Sequence, residues 1–269
     1  MTTSNDRVFP DALDGFFFGK AWSIIWDNRD FIVKLVLVTS VVTLLINEVL
    51  NIAFASQLQT VPAEPEMFEF KDVVSSLVIM FITMFILFIP MTFFMIVFVK
   101  TLPRFFENES VSFSEMLTVR VSTWYLLYIY TVFVLFITII GFIFCIVPGL
   151  IAAIHFAFLP FIIVLEENVS IIPRNFQLIS GYRFKVLMVY LLFLIIAIGG
   201  ILVSSIFLLQ NGDSFGAESQ EYTFTVFGFL GHFLEQIVTA FINYAFHILL
   251  FQLYMMSRIE KGEIEILHD

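Results

Sequence analysis

Charge is what this sequence has least of. Asp, Glu, Lys and Arg make up 13% of its 269 residues, about half the share of an ordinary soluble domain. Basic residues are the scarcer sign, 13 against 23 acidic, for a net charge of −10. With no basic patch to displace counterions from phosphates, a nucleic-acid partner is excluded. The single cysteine, Cys145, excludes an intrachain disulfide. It sits in an apolar run with no cation beside it to activate the thiol, so it reads as inert packing. Four histidines scattered over several segments fall short of the ligand count zinc needs. No phosphate-cradling glycine loop and no Ser/His/Asp order is present, and no loop is long enough to hold a catalytic domain. No catalytic residue, cofactor-binding residue or metal ligand can therefore be nominated, and a non-enzymatic protein is expected. The first residues lack a basic stretch followed by an apolar core and a small-residue cleavage site, so no cleaved signal peptide is expected.

What is present is apolar: 60% hydrophobic residues, 36 of them Phe. From Val121 to Leu165 there is not one charge. A straight helix over that stretch would be about 68 Å long, more than twice a bilayer core of about 30 Å. The chain must turn back, and Pro148-Gly149 is the one good breaker, so a tight structural turn is expected there. Other apolar stretches complete six spans, over about 31–55, 73–99, 123–147, 149–165, 184–209 and 236–257. The predicted fold is all-α: a polytopic membrane protein of six transmembrane helices with short interfacial amphipathic helices. Residues 1–15 read as a polar tail, 16–258 as one six-helix membrane domain, and 259–269 as a second polar tail. Membrane lipids are the expected surroundings; the sequence names no protein partner.

Three polar-amphipathic stretches precede pairs of spans. Phe16 to Asp27 is too polar to cross a bilayer and too aromatic for water, which suits a helix lying in the interface. Ser112-Phe113-Ser114-Glu115 is a helix start. Val169 to Tyr182 sets Ile171, Ile172, Phe176 and Ile179 against Arg174, Asn175, Gln177 and Ser180. The resulting order, a short helix, a span and a return span, repeats over 14–100, 112–166 and 169–258, each unit the same way up. Six spans leave Arg7, Lys20, Arg29, Lys34, Lys100, Arg104, Arg120, Arg174, Arg183, Lys185, Arg258 and Lys261 on the side of the termini, and only Lys71 opposite. That asymmetry puts both termini in the cytoplasm. Trp22, Trp26 and Trp124 fall near the same face, where an aromatic belt would be.

Polar groups within spans are the default functional candidates in a membrane protein. Asn47, Glu48 and Asn51 lie in the outer part of the first span, and His232, Glu235 and Gln236 at the outer start of the last. If the two helices meet, Glu48, His232 and Glu235 form a polar cluster able to move a proton or hold a cation. The bland alternative is that each reaches water or bonds a neighbouring helix. His155, mid-span and five residues before Pro160, is expected to donate to a carbonyl freed by the kink. His247 and Asn243, four apart, read as helix-packing groups.

Ile146-Val147-Pro148-Gly149-Leu150-Ile151, Leu159-Pro160-Phe161-Ile162-Ile163-Val164-Leu165-Glu166 and Arg174-Asn175-Phe176-Gln177-Leu178 together resemble the YciC family (UPF0259) of bacterial inner-membrane proteins. Leu249-Leu250-Phe251-Gln252-Leu253-Tyr254-Met255 fits the same pattern. A looser similarity extends to the membrane domains of some glycerophosphodiester phosphodiesterases. The resemblance implies a multi-pass protein of the bacterial inner membrane and transfers no catalytic residue. Two readings follow: a non-enzymatic protein of envelope or lipid homeostasis, or a small-molecule or lipid transporter using the outer polar cluster.

Overall fold

In a computed structural model, described over residues 17–58, 70–210 and 226–264, the chain is built from helices alone among the described residues. They are α1 (Phe17–Asp27), α2 (Arg29–Leu58), α3 (Phe70–Phe106), α4 (Phe113–Met116), α5 (Val121–Phe144), α6 (Ile146–His155), α7 (Leu159–Leu165), α8 (Ile171–Ile179), α9 (Arg183–Gln210) and α10 (Val226–Glu260). Five segments are long and apolar enough to cross a membrane, or six when α8 and α9, bent by 90°, are taken as one broken span. The all-α polytopic fold stands. The predicted tail over 1–15 lies outside the described residues.

The predicted turn at Pro148-Gly149 is displaced. The chain reverses at Cys145, whose backbone is extended (φ −174°, ψ 150°), and Pro148 and Gly149 fall inside the first turn of α6. Proline is tolerated there because first-turn N–H groups have no helical partner. Gly149 serves the close approach of the two helices instead. A Cβ on Gly141 would lie 2.6 Å from the Gly149 nitrogen, and a Cβ on Gly149 would lie 2.6 Å from the Phe142 ring.

The fourth span is broken next to Pro160, where the sequence leads one to expect a kink. α6 ends at His155 and α7 begins at Leu159. The carbonyls freed by the break must be satisfied inside the protein. Asn175 Nδ2 on α8 donates to the His155 carbonyl, and Tyr190 Oη on α9 donates to the Ala153 carbonyl at 3.2 Å. The expected donor, His155, is engaged elsewhere: its Nδ1 lies 2.7 Å from the Ile151 carbonyl of its own helix. His247 likewise bonds locally, Nδ1 to the Asn243 carbonyl at 2.7 Å.

The chain forms two compact units. One comprises Met1–Leu35, Thr92–Leu194 and Phe241–Asp269; the other comprises Val36–Met91 and Ile195–Ala240. The first holds all of α1 and α4 to α8, with one end each of α2, α3, α9 and α10. Its core explains the phenylalanine content. Phe31 meets Phe105 edge-on at 5.4 Å, Phe106 meets Phe251 at 5.2 Å, and Phe161 lies 5.5 Å from Phe251 and 5.4 Å from Tyr254. These rings tie α2, α3, α7 and α10 together, edge-to-face pairs adding about 0.5–1.5 kcal/mol each beyond their buried area. Trp124 is tied into the same unit: its Nε1 donates to Thr92 Oγ1 at 3.1 Å and its ring packs beside Ile96, Leu127 and Leu159.

Three of the four left-handed residues among the described positions follow the ends of α3, α7 and α10. They are Asn108 (φ 54°) after α3, Asn168 (φ 59°) after α7 and Gly262 (φ 69°) after α10. Two are Schellman closures. After α3, Glu109 N donates to the Arg104 carbonyl at 2.9 Å and Asn108 N to the Phe105 carbonyl at 3.4 Å. After α10, Glu263 N donates to the Arg258 carbonyl at 3.0 Å and Gly262 N to the Ile259 carbonyl at 2.8 Å.

Candidate functional site

The polar residues singled out by sequence are partly assembled. His232 and Glu235 stand one turn apart at the start of α10, Nδ1 to Oε2 3.7 Å, each side chain 56% exposed. Asn47 and Glu48 are half-buried on α2, and Glu48 already has a partner. Asn51 lies on the same helix, with its side chain outside the described residues. Among the described residues no group of three or more His, Cys, Asp or Glu has the arrangement to hold a metal ion.

A larger and better-buried polar cluster lies in the first unit, on residues that the sequence offers only as helix boundaries and a tail. Its centre is Arg174 of α8, whose side chain is 14% exposed beside Glu166, 7% exposed, at the end of α7. Arg174 Nε donates to Glu166 Oε2 at 2.7 Å. The two ends of its guanidinium fork reach Glu263: Nη1 to Oε1 at 2.7 Å and Nη2 to Oε2 at 2.5 Å. Nη1 also donates to Gln177 Oε1 at 3.1 Å. Arg258 Nε donates to Glu263 Oε2 at 3.2 Å, and Tyr254 Oη donates to Glu166 Oε1 at 2.7 Å.

Two arginines and two carboxylates balance in charge, and that balance is what permits their burial. The two-pronged Arg174–Glu263 contact is the geometry in which guanidinium binds a carboxylate most specifically. Arg174 holds the Glu263 carboxyl below the ordinary value of 4.5, against the opposing pull of burial, with Arg258 adding to the effect. Hydrogen bonding to Glu263 in turn raises Arg174 above its ordinary value. Arg174 and Glu263 are therefore held in their charged forms at neutral pH, suited to holding helices and recognising anions and unsuited to passing protons.

Local structure explains how the tail enters. Gly262 closes α10 in the left-handed region and turns the chain back on the helix end. Glu263 then meets Arg258 one turn below, and Ile264 is 6% exposed. Lys261 Nζ donates to the Gln177 carbonyl of α8. The segment read as a free polar tail over 259–269 is thus docked as far as Ile264.

The helix α8 keeps only part of the face read from sequence: Ile179 is buried and Gln177 and Ser180 are exposed as expected, but the middle of the helix is exchanged. Asn175 is fully buried and Arg174 points inward, whereas Ile172 and Phe176 stand 36% and 39% exposed. The inward side offers partners for polar groups: Glu166 and Glu263 for Arg174, and the His155 carbonyl for Asn175. On α1, Ala21, Ile24 and Ile25 are buried while Trp22 and Trp26, one turn apart, face outward at 59% and 57% exposure. Arg29 lies over the Trp26 ring at 5.3 Å. The one signal that could have revealed the docked tail is Lys261-Gly262-Glu263, a helix-closing glycine followed by a carboxylate. No protein-family profile, no curated protein and no solved structure matches the chain.

Proposed function

We propose that this chain is a multi-pass protein of a bacterial inner membrane, with both termini cytoplasmic, that works without catalysis in envelope or lipid homeostasis. One observation carries the orientation. Twelve of the 13 basic residues fall in the sequence ranges of the first unit, with Lys71 alone in the second. That unit also holds α1, α4 and α8, the three short helices that precede spans, with Trp22 and Trp26 outward on α1. Basic residues are retained on the cytoplasmic side and tryptophans settle at headgroup level, so a cytoplasmic placement of α1, α4, α8 and the helix ends that carry these residues satisfies both tendencies. The resemblance to the YciC family supports the same setting.

Cys145 supplies a native reporter, since it is exposed at the reversal between α5 and α6. A membrane-impermeant maleimide added to cells with a permeabilised outer membrane should label it. A cysteine placed at Lys261 in a Cys145→Ser background should label only after the inner membrane is opened. The reverse pattern would overturn the topology. For the role, a deletion strain should differ from its parent in phospholipid composition or detergent sensitivity. If both are unchanged under envelope stress, the homeostasis reading fails. If the deletion has a phenotype that Glu48→Gln or Glu235→Gln cannot complement, transport replaces it.

A further inference from the structure

We propose that Arg174 and Arg258 form an anion-binding site of the phosphate class, occupied at rest by the chain's own Glu263. The carboxylate fills a guanidinium fork at 2.7 and 2.5 Å and meets a second arginine at 3.2 Å. A tetrahedral phosphate offers the same pair of oxygens to the fork and carries more charge than a carboxylate. Removing Glu263 leaves two guanidiniums facing one remaining carboxylate, Glu166, whose second oxygen already accepts from Tyr254. The vacated position therefore has a net positive charge and unfilled donors on both arginines. These side chains are only 14% and 17% exposed, and guanidinium groups attract an anion more strongly where water screens them less.

Glu263 is held as a detachable group. Only Gly262 separates Lys261 from it, and beyond α10 the described chain is kept down by the Lys261 bond to α8, the Glu263 ion pairs and the buried Ile264. A tethered group of this kind competes at an effective concentration in the millimolar range. An external phosphate must outcompete it, so the intact chain should bind phosphate weakly and a chain with its latch released should bind it well. The proposal is independent of the membrane orientation above, because its test uses purified protein.

The full-length chain in detergent is titrated with inorganic phosphate, with chloride at matched ionic strength as control, and binding is read by calorimetry. Glu263→Gln should bind phosphate at least tenfold more tightly than the parent. Ile264→Ser, which loosens the tail and leaves every ion-pairing residue in place, should move in the same direction. Adding Arg258→Gln to either variant should remove the gain. In a second arm, nanodiscs of phosphatidylglycerol or phosphatidylcholine are compared. A gain in thermal stability of the variants over the parent that is confined to phosphatidylglycerol assigns the site to a lipid headgroup, whereas a gain with inorganic phosphate alone assigns it to a free phosphate. If the variants that remain folded and monodisperse bind no better than the parent in both arms, the proposal is overturned. Should Glu263→Gln fail to fold, Ile264→Ser decides the matter; should both fail, Arg258→Gln must weaken phosphate binding by the parent at millimolar concentrations, and unchanged binding overturns the proposal.

Discussion

Replacing Arg174 by Gln tests what the buried cluster contributes, because it deletes one charge and strands two. Glu166, 7% exposed, would keep only the Tyr254 hydroxyl at 2.7 Å. Glu263, 24% exposed, would keep Arg258 at 3.2 Å and regain some water. The loss should therefore come mainly from Glu166. Breaking a buried pair by removing one partner costs about 3–5 kcal/mol, most of it for the unpaired charge left behind. On that account the double variant Arg174→Gln/Glu166→Gln should be more stable than Arg174→Gln alone, since it removes the stranded carboxylate. The two changes should be non-additive by about 1–3 kcal/mol, as groups in one network usually are. Unfolding of the purified protein in mixed micelles, followed by circular dichroism against SDS fraction, measures all four corners of the cycle. If the double variant is less stable than Arg174→Gln by the full cost of Glu166→Gln, the carboxylate is not what makes the arginine necessary, and the reasoning fails.

Acidification should undock the tail within a defined window. The Glu263 carboxyl is held below 4.5 by Arg174, with Arg258 assisting and Lys261, Tyr254 and Glu166 as the other ionisable groups around it. A depressed folded value means the stabilisation is fully present above pH 4.5 and is lost as pH falls through the folded value. Hydrogen exchange at residues 262–264 should be flat from pH 8 to 5, after correction for intrinsic rate, and should rise below that; a rise between pH 8 and 6 would contradict it. At the α5–α6 reversal, Gly141→Ala should destabilise more than Gly149→Ala. The first pushes a methyl to 2.6 Å from backbone at Gly149, and the second pushes one to 2.6 Å from Phe142 Cγ, which a χ1 rotation of that 47% exposed side chain can carry away. Overpacking against backbone costs about 1–3 kcal/mol, while the gain in helix propensity of about 1 kcal/mol offsets most of the ring clash. Equal losses in the same SDS titration would refute the distinction.

The spans were legible because crossing a bilayer demands an uncharged run, and that demand is one-dimensional. Val121 to Leu165 shows it plainly. The break inside it was signalled by Pro160, which falls in the first turn of α7, but its partner was not legible, since the donor that satisfies it, Asn175, lies on α8. The middle of α8, Arg174 and Asn175 against Ile172 and Phe176, was misread for a related reason. In water an amphipathic pattern has one meaning, apolar side in. At a membrane both sides of the helix have an apolar option, and the distant Glu166 and Glu263 decide where Arg174 goes. The outer residues Glu48, His232 and Glu235 stood out because they interrupt apolar sequence. Arg174, Arg258 and Glu263 did not, because charge at the end of a span is ordinary.

That ordinariness conceals a regularity bearing on the threefold pattern of short helix, span and return span. Where a return helix ends, it is ion-paired to the short helix that follows: Arg104 near the end of α3 to Glu115 of α4 at 3.6 Å, and Glu166 at the end of α7 to Arg174 of α8 at 2.7 Å. The sign is reversed from one junction to the next while the connection is kept, as expected if the junction and not the individual residue is what each unit needs. After α10 the described chain has no further short helix. There Arg258 occupies the position in the closing turn that Arg104 has in α3, two residues before the helix end, and pairs with Glu263 from its own C-terminal turn. Glu263 thus supplies in the third unit the acidic partner that Glu115 supplies from α4 in the first. It differs in being shared with Arg174, so the last junction is joined to the second one. A carboxylate held by a single turn of chain is easier to displace than one fixed on a helix, and the third junction is therefore the one of the three most open to an outside anion.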